Sequence, residues 1–341
     1  MTEKPGAGIV MELSRDFQRS QVLFSAVELD LFDALAAGPK TPTEIAKKLR
    51  LNLRGTDCLM HALASIELLE KKGGRFRLSP VAEKHLVSGR PGYMGNIVRH
   101  SANLQPIWAQ LANVVRTGKP ADRLRKPETE EGKSALRNFI LGMADLAAPM
   151  ARELWGLLDL SGVSRMLDVG GGPGTYTFEL IRKKSDIECA VFDSPIVIPI
   201  TIEQIELNGM RAKVGTIQGD FNKDGLGSGF DLVLMSNILH SNSPRECGAL
   251  IKKGFRALNP GGRLVIVEFA LNRERTGPPS GSLFSVNMLV GTPGGAAFAA
   301  EEMAAWMKAA GFRVADRFPL MERSVVLVGK KSAKAGAKKK A

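Results

Sequence analysis

The stretch Arg165 to Tyr176, RMLDVGGGPGTY, constrains the fold more than any other part of the chain. An apolar run ends in glycines and passes straight into a helical pattern, which is the layout of strand, tight loop and helix. Gly170, Gly172 and Gly174 alternate with other residues, so the backbone can fold close to a ligand and leave helix N–H groups pointing at it. A nucleotide-type ligand is expected there. The dinucleotide fingerprint G-x-G-x-x-G is not met, because the third glycine position counted from Gly170 is Thr175, and this counts against NAD. On its own the loop could be a plain strand-to-helix turn; its meaning depends on what stands downstream.

From Arg165 onward strand-like and helical runs alternate, which predicts a mostly parallel sheet with helices on both faces. Strands are expected near 165–169, 188–192, 213–218, 230–236 and 263–269. Two further runs, 313–319 and 324–330, are separated by only a few residues. So short a link demands an antiparallel hairpin, since a parallel crossover needs a dozen residues or more. Ligands in such sheets sit beyond the carboxyl ends of the strands, and the residues expected there carry chemistry. Asp168 and the glycines follow the first strand; Asp193 follows the second, about twenty residues past the loop, where a carboxylate can accept two ribose hydroxyl protons. Asp220 and Phe221 follow the third, one able to accept from an exocyclic amine and the other able to cover an adenine face. Ser236, Asn237 and His240 lie at the end of the fourth, and Glu268 at the end of the fifth.

The N-terminal part reads differently. Residues 9–36 carry apolar positions at helical spacing up to Gly38-Pro39, and Thr41-Pro42-Thr43-Glu44 is a capping box with proline at the first helical position. A helix over 54–67 and two short strands about Gly73-Gly74 complete the order helix, helix, helix, hairpin, which resembles a winged helix. The helix from Arg54 is apolar around most of its circumference, with only Arg54 and His61 as plausible contacts to nucleic acid. Phe17, Val22, Leu23 and Phe24 look exposed. Such surfaces meet another protein surface, so a dimerisation module is expected rather than a DNA reader. His61 and His85 are read as structural. Helices are expected over 93–116, 134–148 and 150–158, with a charged linker over 117–133; Phe139, Met143 and Trp155 are candidates to line a pocket.

The formal charge of +12 does not demand nucleic acid, because Lys330, Lys331, Lys334, Lys338, Lys339 and Lys340 supply half of it. A disordered, solubilising arm is expected from 331 to 341. Cys58, Cys189 and Cys247 are odd in number and scattered, which fits a reducing compartment and buried, small apolar roles. No apolar run approaches the roughly 18–20 residues of a membrane span, and no leader-like segment opens the chain; a cytoplasmic protein is expected.

LDVGGGPGTY, AVFDSP, QGDF, LMSNILH, PGGRLVIVEF and NMLVGTPGG together, in this order, resemble the class I S-adenosylmethionine-dependent methyltransferases. Within that class the likeness is to the O-methyltransferases with an N-terminal winged-helix dimerisation domain, and it covers nearly the whole chain apart from the lysine tail. It implies a Rossmann-like α/β sheet, parallel with one antiparallel strand, behind an N-terminal α-helical winged-helix domain. The expected division is 1–103 for dimerisation, 104–160 for a helical linker and pocket region, 161–330 for the catalytic domain and 331–341 for the tail. It implies S-adenosyl-L-methionine held by Gly170, Gly172 and Gly174, with Asp168 and Ser236 nearby, Asp193 on the ribose and Asp220 and Phe221 at the adenine. It implies a homodimer and a flat small-molecule acceptor touched by Trp108, Phe139, Met143, Asn242, Asn287 and Met288. His240 is implied as general base toward a hydroxyl, oriented by Glu268, with no metal.

The chemistry of that assignment is sound. A phenol of pKa about 10 is protonated at neutral pH, and a neutral imidazole can take its proton as attack proceeds. The other ring nitrogen must keep its hydrogen, which a carboxylate fixes. Two departures matter. Ser241 and Asn242 follow His240 where many relatives have Asp-Trp, and Ala297 stands near the position of a second supporting glutamate. The missing carboxylate leaves methylation at carbon as the alternative on the same fold, and a ligand-sensing DNA-binding regulator as the alternative from another class.

Overall fold

The computed structural model describes residues 6–122, 128–321 and 324–333. The chain divides into two compact units, Met1–Gln105 with Pro127–Asp145, and Pro106–Lys126 with Leu146–Ala341. Among the described residues no helix is long and apolar enough to cross a membrane.

The first unit opens with α1 (Ala7–Glu28) and α2 (Leu31–Leu35). One helix was expected over 9–36; the break falls at Asp30, whose φ of 52° is left-handed, a conformation aspartate tolerates better than most residues. The bend lets α2 turn Leu31, Phe32 and Leu35 into the core. Helix α3 (Pro42–Leu49) begins with the expected capping box: Thr41 Oγ1 accepts from the Glu44 N–H and Glu44 Oε2 accepts from the Thr41 N–H at 2.6 Å. Helix α4 (Leu53–Ser65) is capped by Asn52, and β1 (Leu69–Lys72) pairs antiparallel with β2 (Arg75–Leu78). The hairpin turns at Gly73 and Gly74, both at positive φ. Phe32, Ile45, Met60, Leu63 and Phe76 close one core. The exposed apolar residues are not quite those expected. Val22 and Leu23 pack against this core, whereas Val10, Leu13 and Phe17, one face of α1 by their spacing, are 66%, 65% and 63% exposed. Cys58, expected inside, lies on the outer side of α4 and is exposed.

After α5 (Pro80–His85) comes α6 (Gly95–Trp108), whose first turn is capped from afar: Asp145 accepts from Asn96 Nδ2 and from the Ile97 N–H. The helix expected over 93–116 stops there, and α7 (Leu111–Thr117) follows separately. Conversely, two helices expected over 134–158 are one, α8 (Glu130–Leu157), which runs through Pro149. Proline removes one backbone bond; just beyond it Ala151, Leu154 and Trp155 are fully buried, and tertiary burial of this kind outweighs local propensity.

The second unit is built on a sheet of β3 (Arg165–Val169), β4 (Glu188–Asp193), β5 (Val214–Gln218), β6 (Phe230–Ser236), β7 (Leu258–Leu271), a two-residue β8 (Phe298–Ala299), β9 (Arg313–Leu320) and β10 (Ser324–Lys330). Its order is β5-β4-β3-β6-β7-β10-β9, with β8 beside the end of β7. Strands β3 to β7 are parallel, and β10 runs against both β7 and β9. This is the Rossmann-like sheet with one reversed strand. Between the strands lie α9 (Thr175–Lys183), α10 (Ile198–Leu207), α11 (Pro244–Ala257), α12 (Pro279–Gly291) and α13 (Ala300–Ala309). Alternate residues of each strand feed two cores, as period-two side chains must. Leu167, Val233 and Ile266 join α11 and α13, while Met166, Leu234 and Val265 join α9 and the end of α8. The strand order reverses at β3, so β3 is the switch point where a crevice opens for ligand.

Lys331 does not begin a free arm. Its ammonium donates to the carbonyls of Phe255 and Leu258 and stands over the Phe255 ring. Lys334, Lys338, Lys339 and Lys340 lie outside the described residues.

Candidate active site

The glycine loop takes the backbone through left-handed conformations at Gly170, Gly172 and Gly174, with φ of 66°, 52° and 81°. A side chain at Gly170 would stand 2.5 Å from the Ile238 methyl, and one at Gly174 2.9 Å from the Phe178 ring, whereas Gly172 faces open space. The loop is thus pinned at both ends and open in the middle, a cradle for a ligand against backbone. Gly174 forms the N-cap of α9. Beneath it Asp168 is buried and accepts from Thr177 Oγ1 at 2.9 Å. Burial pushes its carboxyl up to about 7.

Asp193, at the end of β4, accepts from the Gly172 N–H through Oδ2 at 2.8 Å and from the Ser194 N–H through Oδ1 at 2.7 Å. Desolvation raises its pKa against those bonds. Each oxygen keeps a lone pair for further donors. Asp220 is more open: its carboxylate pairs with Lys223 at 2.9 Å and caps the Asn222 N–H, and these contacts hold its pKa below the usual range. Phe221 is half-buried against the core, and its carbonyl accepts from Lys253 Nζ.

At the end of β6 the chain turns through Asn237, left-handed at φ 54°, into a 3-10 turn at Leu239–Ser241 that carries His240. The His240 Nδ1 to Glu268 Oε2 distance is 2.8 Å, and Glu268 Oε1 accepts from the Leu239 N–H at 2.7 Å. Glu268 is 1% exposed. Its two oxygens therefore fix both the backbone of the turn and the ring it presents, and leave Nε2 as the free end of the imidazole. Phe284 of α12 meets the His240 ring at a centroid distance of 4.7 Å and 90°, and stacks on Phe269 at 4.2 Å. Phe269 directly follows Glu268, so two consecutive residues of β7 restrain the same histidine, one by charge and one through an intervening ring. Reasoning from sequence passed over Phe269 and Phe284; adjacency to Glu268 was the available signal for the first.

The expected acceptor residues divide. Trp108 Nε1 donates to Asn287 Oδ1 at 2.9 Å, so these two come together, and Met288 follows on α12. Phe139 and Met143 belong to the first unit, where Phe139 tilts against His100 at 5.0 Å. Two further residues are buried. Asn242 is 3% exposed, with its amide donating to the Ile238 carbonyl and accepting from Asn222 Nδ2. Trp155 is fully buried and donates to the Tyr176 carbonyl, so it is core. Ala297 is 1% exposed, with its N–H bonded to Ser285 Oγ. Among the described residues no group of three or more His, Cys, Asp or Glu is placed to hold a metal.

A Rossmann-like sheet with a glycine cradle at its switch point, and a carboxylate at the end of the next strand, fits an S-adenosylmethionine-dependent methyltransferase, and the family match shows that class. The chain belongs to the O-methyltransferase family: the family's O-methyltransferase domain matches residues 108–313, and its O-methyltransferase dimerisation domain matches residues 11–88. It is 35% identical to a 3-hydroxy-5-methyl-1-naphthoate 3-O-methyltransferase of Streptomyces sahachiroi, over 89% of this chain and 88% of that one. It is 31% identical to the tetracenomycin polyketide synthesis 8-O-methyl transferase TcmO of Streptomyces glaucescens, over 91% and 93%. The structure of human N-acetylserotonin methyltransferase in complex with SAM superposes with a TM-score of 0.87 at 25% identity, covering 97% of this chain and 99% of that one. The winged-helix pattern is thus a dimerisation domain, as its apolar surfaces led us to expect.

Proposed function

We propose that this chain methylates a phenolic hydroxyl on a flat, fused-ring aromatic acceptor, with His240 as general base, and acts as a homodimer. The observation that carries the reading is the His240–Glu268 pair. A buried carboxylate bound to Nδ1 holds the tautomer in which Nε2 carries the lone pair, and it stabilises the imidazolium formed when Nε2 takes the phenol proton. The glycine cradle and Asp193 fit the cofactor: the loop amides and the Asp193 carboxylate would hold its chain and ribose, and Asp220 and Phe221, at the next strand end, would hold the adenine. When bound, the cofactor supplies an already activated methyl group. What remains for the protein is to hold the acceptor oxygen in line, exclude water and remove one proton. Phe269 and Phe284 give that site an apolar, aromatic wall, and the relatives named for naphthoate and polyketide acceptors support a flat ring system.

Incubating the purified protein with labelled S-adenosylmethionine and a panel of naphthols, hydroxyindoles, quinols and polyketide phenols tests the reading. Label is expected on oxygen, located by mass and NMR analysis of the product. Label on a ring carbon would favour the alternative that the buried Ala297 makes reasonable, since no carboxylate stands there to sharpen the base. Sedimentation velocity is expected to return a dimer.

A further inference from the structure

The turn that presents His240 is held from two sides. On its N–H side stands Glu268, whose Oε1 accepts from the Leu239 N–H at 2.7 Å and from the His240 N–H at 3.3 Å. On its carbonyl side stands Asn242, 3% exposed, whose Nδ2 donates to the Ile238 carbonyl at 2.7 Å and whose N–H donates to the Leu239 carbonyl at 3.0 Å. A carbonyl can only accept, so the Asn242 amide must turn its nitrogen to Ile238 and its oxygen away. That oxygen is met by Asn222, whose Nδ2 donates to Asn242 Oδ1 at 2.8 Å. Asn222 comes from outside the turn. It sits on the loop after β5, next to Phe221, and its own N–H donates to Asp220 Oδ1 at 2.9 Å.

The loop that carries Asn222 is itself fastened. Lys253 of α11 donates from Nζ to the Phe221 and Asp224 carbonyls, both at 2.8 Å, and the Asp220 N–H donates to Asp224 Oδ2 at 2.8 Å. None of these bonds uses the Asn222 side chain, so the loop keeps its anchors without it. A buried amide holds one orientation when each end has a partner of the right kind, and loses that hold when one end is left unpaired. We propose that Asn222 is a positioning residue for the base: through Asn242 it fixes the Ile238–Leu239 backbone, and with it the seat from which His240 Nδ1 reaches Glu268 Oε2. The run of bonds from loop to imidazole is unbroken, Asn222 to Asn242, Asn242 to Ile238, Leu239 to Glu268 and Glu268 to His240. The assignment rests on the reading of His240 as general base. It gives the loop proposed for the adenine a second duty, in holding the group that takes the acceptor's proton.

Two variants test it. Asn222→Ala removes the donor, and Asn222→Asp keeps the size but offers Asn242 Oδ1 a second acceptor. The first readout is the His240 ring, followed by nitrogen NMR of histidine-labelled protein at mildly alkaline pH; the chain has four histidines, and His240→Ala identifies the signals. Wild type is expected to show two well-separated ring signals, one nitrogen protonated and the other bare. In either variant they should draw together, as in a ring that samples both tautomers, while S-adenosylhomocysteine affinity by calorimetry stays within about twofold. The second readout is kinetic: with an acceptor that wild type methylates, kcat should fall about tenfold at unchanged KM. Ring signals that stay apart in both variants would overturn the proposal, as would an unchanged kcat in a protein whose His240→Ala variant has lost turnover. If one variant does not fold, the other decides. Ring signals that move while His240→Ala keeps full kcat would sink the general-base reading and leave the positioning role standing.

Discussion

Asp168 is the residue whose burial can be read as a dependence on pH. Its carboxyl is lifted from 3.8 to about 7, first by desolvation and then by the charge of Asp193, against the bond from Thr177. Between those values the folded chain holds a proton that the unfolded chain has lost, so the contribution to stability is fully present below the unfolded pKa and is lost as pH rises through the folded one. Asp168→Asn keeps an acceptor for Thr177 and removes the titration. In chemical denaturation without cofactor the variant should exceed wild type above pH 7, by at most about 4 kcal/mol at about 1.4 kcal/mol per pKa unit, and the gain should shrink as pH falls toward 4. A constant difference across that range would show that Asp168 does not titrate there. His240 is tested separately: His240→Ala should lower kcat by about 10²-fold or more with S-adenosylhomocysteine affinity retained, and Phe284→Ala should lower kcat less while Glu268 still holds Nδ1.

At the level of elements, the loop between β3 and α9 is tightly constrained, with left-handed glycines at 170, 172 and 174. Gly174→Ala would force a side chain into a left-handed position and within 2.9 Å of Phe178. A loss of about 1–3 kcal/mol is expected, with weaker cofactor binding, both measurable by thermal and ligand titration. This element was legible in the sequence because its signal is local: alternating glycines directly after an apolar run. The same holds for the capping box at Thr41 and for the short link that forced β9 and β10 into a hairpin. Elements decided at a distance were not legible. Nothing within reach of Pro149 says that α8 continues through it, since what carries the helix on is the burial of Leu154 and Trp155 against α9 and the sheet. Likewise His240 and Glu268 could be named from their strand ends, but the Phe284 contact joins α12 to β7, and the fate of Asn242 depends on Asn222, twenty residues upstream.

For the whole molecule, the dimerisation domain and the apolar face of α1 belong to one question. Val10, Leu13 and Phe17 are each more than 60% exposed, and the domain match from residue 11 to 88 includes two of them. Phe17→Glu with Leu13→Glu should shift sedimentation from dimer to monomer, while the far-ultraviolet spectrum stays that of a folded chain. An unchanged dimer would move the interface to another surface.

The direction of β10 has a practical side. Because that strand runs against β7, the backbone passing Lys330 and Lys331 emerges at the edge of the sheet where the parallel strands begin, beside Gly262 and Leu258. The glycine cradle and His240 open at the other edge. A tether joined beyond Ser332, to a bead or to a second enzyme, would attach at the edge of the sheet opposite the glycine cradle and His240.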